Sequence, residues 1–177
     1  MKNVELIKRI LTSLVLFPLL FLITLPNQLY FSIILFFLFF LSIYEWNNIN
    51  KKDHYYKWFG FLFLLFSFLS AYFLRGHNNE SIQFFFLVVI TCVFSDIGGY
   101  IFGKLIGGKK LTTISPNKTY SGSIGSFCFS LLPFIIIAKN NFFDFFFILD
   151  IKNTFIILSV SLISQIGDVF ISYFKRL

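Results

Sequence analysis

Six apolar runs dominate the chain, at about residues 10–25, 29–46, 58–74, 82–106, 122–138 and 154–174. A helix that crosses a bilayer needs about 20 apolar residues, with a range of about 17–25. In hydrocarbon every backbone N–H and C=O must find a partner within the protein, so runs of this length predict helices rather than open strands. The stretch 142–149 is too short to cross and reads as an interfacial or re-entrant piece. Composition points the same way. The chain is 57% hydrophobic and 13% charged, and 29 of its 177 residues are Phe. Soluble domains run at about 45–50% apolar and about 25% charged. A core of this size cannot hide that much apolar surface, and a disordered chain would need low hydrophobicity. The expected fold is therefore all-α: a polytopic helical membrane bundle of about six transmembrane helices. We read residues 1–177 as one membrane domain. Residues 1–81 form scaffold helices, and residues 82–177 carry the chemical motifs.

The net charge of +7 raises nucleic acid as a partner, but orientation explains it more simply. Cytoplasmic loops of membrane proteins collect Lys and Arg. With the N-terminus in the cytoplasm, twelve of the fifteen Lys and Arg fall on inner segments. Both termini are thus expected on the cytoplasmic side of the inner (plasma) membrane, with no nucleic-acid role. The first run follows a basic start like a signal peptide, yet Thr24-Leu25-Pro26-Asn27-Gln28 offers no small-x-small cleavage site, so an uncleaved span is expected. Cys92 and Cys128 sit singly in apolar runs, without the spacing of a disulfide framework or a zinc site. His54 and His77 are isolated loop histidines, and Glu45 beside Trp46 reads as an interface residue.

The informative residues are the polar ones placed at depth. A charged side chain inside a span costs on the order of 2.5–3.5 kcal/mol on insertion scales. Asp96 in the fourth run and Asp168 in the sixth accept that cost. In the fourth run Ser95, Gly99, Gly103 and Gly107 recur every four residues, the small-xxx-small stripe that lets a second helix approach closely. The stripe reads as helix packing and allows a homodimer. Asp96, Tyr100 and Lys104 form the neighbouring stripe, with Asp96 about 12 Å from Lys104 along the axis at ~1.5 Å per residue. Asp168 precedes Lys175 and Arg176 by about two turns. An acid near the inner face with cations beyond it suits a metal ion and phosphates, although the two cations also read as topology anchors.

The loop between the fourth and fifth runs holds Lys109, Lys110, Ser115, Pro116, Lys118 and Thr119. Ser115-Pro116 reads as a helix N-cap followed by Pro at the first helical position. Such a helix start aims free amides at an anion, and the lysines and hydroxyls add donors for phosphate. The loop equally reads as a basic segment that only sets topology. The G-x-x-x-x-G-K-[ST] spacing of a Walker loop is missing.

Two motif sets give a specific likeness. Ser95-Asp96-x-Gly98-Gly99-Tyr100-x-x-Gly103-Lys104-x-x-Gly107 is followed by Ser115-Pro116-x-Lys118-Thr119-Tyr120-x-Gly122. Later come Ser164-Gln165-Ile166-Gly167-Asp168-Val169, Ser172 and Lys175-Arg176. From about residue 90 onward this order resembles the phosphatidate cytidylyltransferase (CDP-diacylglycerol synthase) family. The resemblance implies transfer of a cytidylyl group from CTP to phosphatidic acid in the bilayer, giving CDP-diacylglycerol and pyrophosphate, with Mg²⁺. It further implies Asp168 as a metal ligand and Asp96 as a site-lining acid or metal partner. Lys104, Ser115, Lys118 and Thr119 would handle the CTP phosphates, with Lys118 in the catalytic set, and the loop lysines Lys109 and Lys110 join them as substrate-binding candidates on charge alone. Lys175 and Arg176 would meet the lipid phosphate or the nucleotide.

The chain departs from the family pattern at Ser121 and Ile171, where the family carries acids. The family also continues past its Lys-Arg pair into a K-D pair, an L-P-G-H-G-G loop and a D-R-x-D motif. The resemblance thus implies a C-terminally truncated chain. A non-catalytic membrane subunit and a small ion-coupled transporter with Asp96 and Asp168 on its path are the competing readings. A transporter has no need of a polyphosphate cradle. On this reading the purified chain incorporates CTP into lipid weakly or not at all in an Mg²⁺-dependent assay, and clear turnover would show those motifs to be dispensable.

Overall fold

A computed structural model describes residues 27–49, 54–112, 118–140 and 150–174. Five helices make up the described chain: α1 Gln28–Ile49, α2 His54–Arg75, α3 Asn79–Leu105, α4 Tyr120–Asn140 and α5 Ile151–Phe174. All five are long and apolar enough to cross a membrane. The expected spans from residue 29 onward are present, each shifted by a few residues at its ends. The expected first span and the 142–149 piece lie outside the described residues. The only strand-like pairing among the described residues is an isolated bridge between Lys110 and Thr119. The helices carry many large apolar side chains outward, such as Phe66 at 73% and Phe155 at 71% exposure. Water would not tolerate so continuous an apolar surface, whereas lipid does.

The chain divides into two compact units, Met1–Ile82 and Gln83–Leu177. In the first, α1 and α2 form an antiparallel hairpin. Asn27 caps α1, its Oδ1 accepting the Leu29 N–H at 3.0 Å. The Phe39 ring packs against Phe61 and Phe68, with centroids 6.2 and 5.4 Å away. Trp46 donates its indole N–H to Tyr56 O at 3.0 Å and lies against Gly60, where any side chain would occupy the place of the indole. Arg75, expected in an outer loop, instead closes the last turn of α2. It is buried, with its guanidinium 4.5 Å from the centre of the Phe31 ring. A cation over an aromatic face is attracted by the ring quadrupole, which suits an Arg held in an apolar setting. Gly76, at φ +53°, then lets the chain leave the helix.

In the second unit α3 and α4 meet through glycines. A Cβ at Gly99 would lie 2.6 Å from Ser126 Oγ, one at Gly122 2.8 Å from Gly99 O, and one at Gly125 2.8 Å from Gly98 O. The close approach expected of the small-residue stripe is therefore real, but its partner is α4 of the same chain. Its membership also differs. Gly98 joins it, Ser95 turns toward α5, and Gly107 lies beyond the helix at φ +64° with Gly108 at +106°. Those two left-handed glycines end α3 at Leu105. Leu87, Phe134, Ile137 and Ile157 form the apolar core of this unit.

Overpacking a tight helix contact costs typically 1–3 kcal/mol. Gly122→Leu is expected to destabilise the protein by about that amount in detergent melting experiments. Gly167→Ala, where a Cβ would meet nothing within 4 Å, is expected to be neutral or to raise the melting temperature.

Candidate functional site

The residues that follow α3 fold back on themselves. The Leu111 N–H donates to Lys118 O at 2.8 Å, and the Tyr120 N–H donates to Lys109 O at 3.2 Å. This pinch brings Lys118 to the first turn of α4. The N-cap there is Thr119, whose Oγ1 accepts the Gly122 N–H at 3.1 Å. The helix α4 begins at Tyr120. A hydroxyl directly before the helix can reach the third amide of the first turn, as Thr119 does. Ser115 itself lies outside the described residues. Ser121 Oγ donates to Gly107 O and so ties the start of α4 to the end of α3.

Fixed in this way, Lys118 reaches across to α5. Its Nζ donates to Asp168 Oδ2 at 2.9 Å and to Gln165 O at 3.2 Å. Asp96 and Tyr100 from α3, Ser123 and Ser126 from α4, and Gln165 and Asp168 from α5 line one cleft of about 190 Å³ together with Lys118 and Thr119. The side chains of Lys118 and Asp168 are 26% and 50% exposed. An ion pair with that much exposure contributes ~0–1 kcal/mol, so its main effect is to hold the ammonium at the cleft wall.

Gln165 carries more of the local architecture than its sequence suggested. Its Oε1 accepts a hydrogen bond from Ser123 Oγ, its Nε2 faces Ser161 Oγ at 3.4 Å, and its backbone oxygen accepts from Lys118. Ser161 Oγ in turn pairs with Ser95 Oγ at 2.8 Å, and both serines are fully buried. A continuous polar line therefore joins all three helices beneath the cleft. The sequence signal for Gln165 was its place in the Ser164-Gln165-Ile166-Gly167-Asp168 motif. For Ser123 and Ser126 it was their spacing of three on one helix face.

Of the residues singled out from sequence, Asp96, Asp168, Lys118 and Thr119 meet at the cleft. Lys104 does not line it. Its Nζ turns back to Tyr100 OH at 3.4 Å and lies 5.5 Å from the centre of that ring. Lys109 and Lys110 are exposed and contribute backbone to the pinch rather than side chain to the wall. Lys175 and Arg176 lie outside the described residues.

No group of three or more His, Cys, Asp or Glu gathers among the described residues. The cleft offers two carboxylates, hydroxyls and an amide. That donor set is all hard oxygen apart from one lysine. It fits Mg²⁺, which favours one or two carboxylates with water and substrate phosphate, and does not form an all-protein cage.

Apolar helices of spanning length define a polytopic membrane protein, with an acid-and-lysine cleft where three of them converge. The chain belongs to the cytidylyltransferase family, whose model matches residues 50–177. It is 39% identical over 115 residues to a phosphatidate cytidylyltransferase of Staphylococcus aureus (strain COL), covering 62% of this chain and 40% of that protein. Against the phosphatidate cytidylyltransferase of Rickettsia bellii it is 33% identical over 138 residues, covering 75% of this chain and 58% of that protein. The chain thus spans between about two fifths and three fifths of the length of these relatives. No solved structure matches it.

A double-mutant cycle on Lys118→Met and Asp168→Asn, read by thermal unfolding, is expected to give a coupling of about 0.2–1 kcal/mol that fades as salt rises. A coupling well above that range would show the pair to be shielded from solvent.

Proposed function

We propose that the protein acts in phospholipid synthesis as a phosphatidate cytidylyltransferase. CTP and phosphatidic acid give CDP-diacylglycerol and pyrophosphate. The observation that carries this reading is the meeting of Lys118, Asp168 and Asp96, from three separate segments, in one cleft. The family match and the names of the relatives support it.

The reaction joins two anions. An oxygen of the lipid phosphate attacks the α-phosphorus of CTP, the α–β phosphoanhydride bond breaks, and pyrophosphate leaves with its electron pair. The difficulty is electrostatic, since charge must be gathered before attack and absorbed on the leaving group. Lys118 is the one cation at the cleft wall among the described residues, and Asp168 fixes its position. As triphosphate enters, the ammonium can exchange its bond to Asp168 for one to phosphate while its bond to Gln165 O holds it in place. Thr119 caps the start of α4 and keeps it in register beside the cleft. Asp96 and Asp168 are the residues that would hold Mg²⁺, which when bound neutralises phosphate charge and aligns the phosphates.

In this reading Lys104, Lys109, Lys110 and Ser115 handle the CTP phosphates. Lys175 and Arg176 are assigned to the lipid phosphate. The site faces the cytoplasm, where CTP is found, in a six-span chain of the inner (plasma) membrane with both termini inside. The charge bias of the loops supports that orientation.

In micelles containing phosphatidic acid, Mg²⁺-dependent CTP binding is expected to fall at least tenfold in Lys118→Ala and in Asp168→Asn, and to hold steady in Lys139→Ala on the last turn of α4. Wherever CTP-derived label enters the lipid extract, the first two changes are expected to lower kcat/KM at least a hundredfold. CTP binding that is absent, or indifferent to both changes, overturns the reading.

A further inference from the structure

A second cavity lies wholly within the α1–α2 hairpin, at the end where the two helices are joined. It measures about 310 Å³ and is lined by Ile43, Trp46, Asn47, His54, Lys57, Trp58, Phe61 and Leu64. Small-molecule sites run from about 300 to 1,000 Å³, so it is large enough to hold part of a ligand. None of these residues takes part in the cleft described above. On α2 the wall residues are spaced i, i+3, i+4, i+7 and i+10, so the cavity follows one helix face.

Its walls are graded. Phe61, Leu64 and Ile43 lie deeper in the spans, while Lys57, His54 and Asn47 lie toward the helix ends. Trp46 and Trp58 stand between. The Trp46 ring is held by its bond to Tyr56 O and by contact with Gly60, and Trp58 packs edge-on to Phe61 with centroids 6.3 Å apart. Tryptophan at that level marks the boundary between acyl chains and headgroups. Among the described residues Lys57 is the one Lys, Arg, Asp or Glu in the wall, and Glu45 on the same turn as Trp46 does not line it.

From this geometry we infer that the groove binds one anionic phospholipid of the adjacent leaflet. Its phosphate sits by Lys57, and an acyl chain lies along Phe61 and Leu64. A soluble partner is disfavoured because the apolar half of the groove lies within the spans. A zwitterionic lipid would bring its own cation beside Lys57, whereas an anionic headgroup leaves that charge unopposed. The inference does not depend on the proposed reaction.

The chain has two tryptophans, and both line this groove, so intrinsic fluorescence reports on it directly. The test is to reconstitute the full chain in phosphatidylcholine nanodiscs and add brominated phosphatidylglycerol or brominated phosphatidylcholine. The phosphatidylglycerol should half-quench emission at a mole fraction at least fivefold lower. In Lys57→Gln that preference should shrink to within twofold, with helix content unchanged by circular dichroism. Trp46→Phe should retain the preference through Trp58. Lys118→Ala should leave it untouched, which separates this groove from a phosphate held in the cleft. Equal quenching by both lipids, or a preference that survives Lys57→Gln, overturns the inference. So does emission that neither lipid quenches, which would mean that protein covers the groove.

Discussion

The backbone-to-backbone approach of α3 and α4 sets the geometry on which the candidate site rests. Within a bilayer, lipid tails are as apolar as leucine, so helices gain little by hiding apolar side chains from one another. What holds them is close van der Waals contact, and that depends on how near the backbones come. Gly98 and Gly99 on α3 and Gly122 and Gly125 on α4 remove the side chains that would keep them apart. The contact places the first turn of α4 beside Asp96 and Tyr100. It also brings the pinched loop, and Lys118 with it, within reach of α5.

The third helix is attached by different means. Ser95 and Ser161 share a buried hydrogen bond, and Gln165 extends the line to Ser123. Hydroxyls and amides buried in a bundle cost free energy unless they pair, so this line favours a single register of α5 against its neighbours. Moving α5 by one residue would break each bond and swing Asp168 away from Lys118. A satisfied interior network thus fixes the position of an exposed ion pair whose own contribution to stability is small.

The cleft balances two carboxylates with one lysine. Two acids alone would repel a phosphate, and lysines alone would hold one tightly with nothing to position a cation. The paired arrangement keeps Lys118 extended and leaves carboxylate oxygen available to a hard metal ion. On the proposed reading the lysines outside the wall act on nucleotide through space, whereas the wall needs directed donors.

The sequence by itself determined that the chain is helical and membrane-spanning, and it singled out Asp96, Asp168 and Lys118, which the fold brings to one cleft. Apolar run length is a local property, and so is the cost of an acid placed within such a run. The likeness to a known family was readable for the same reason, because its motifs are contiguous. Only the tertiary structure decided which acid meets which lysine, that the glycine stripe serves α4 of the same chain, and that Thr119 caps α4. It alone turned Lys104 back onto Tyr100 and showed Gln165 to be a hub. Each of those facts depends on the register between helices far apart in the chain, or on which of several nearby hydroxyls wins a free amide. Spacing along a single strand of sequence carries neither.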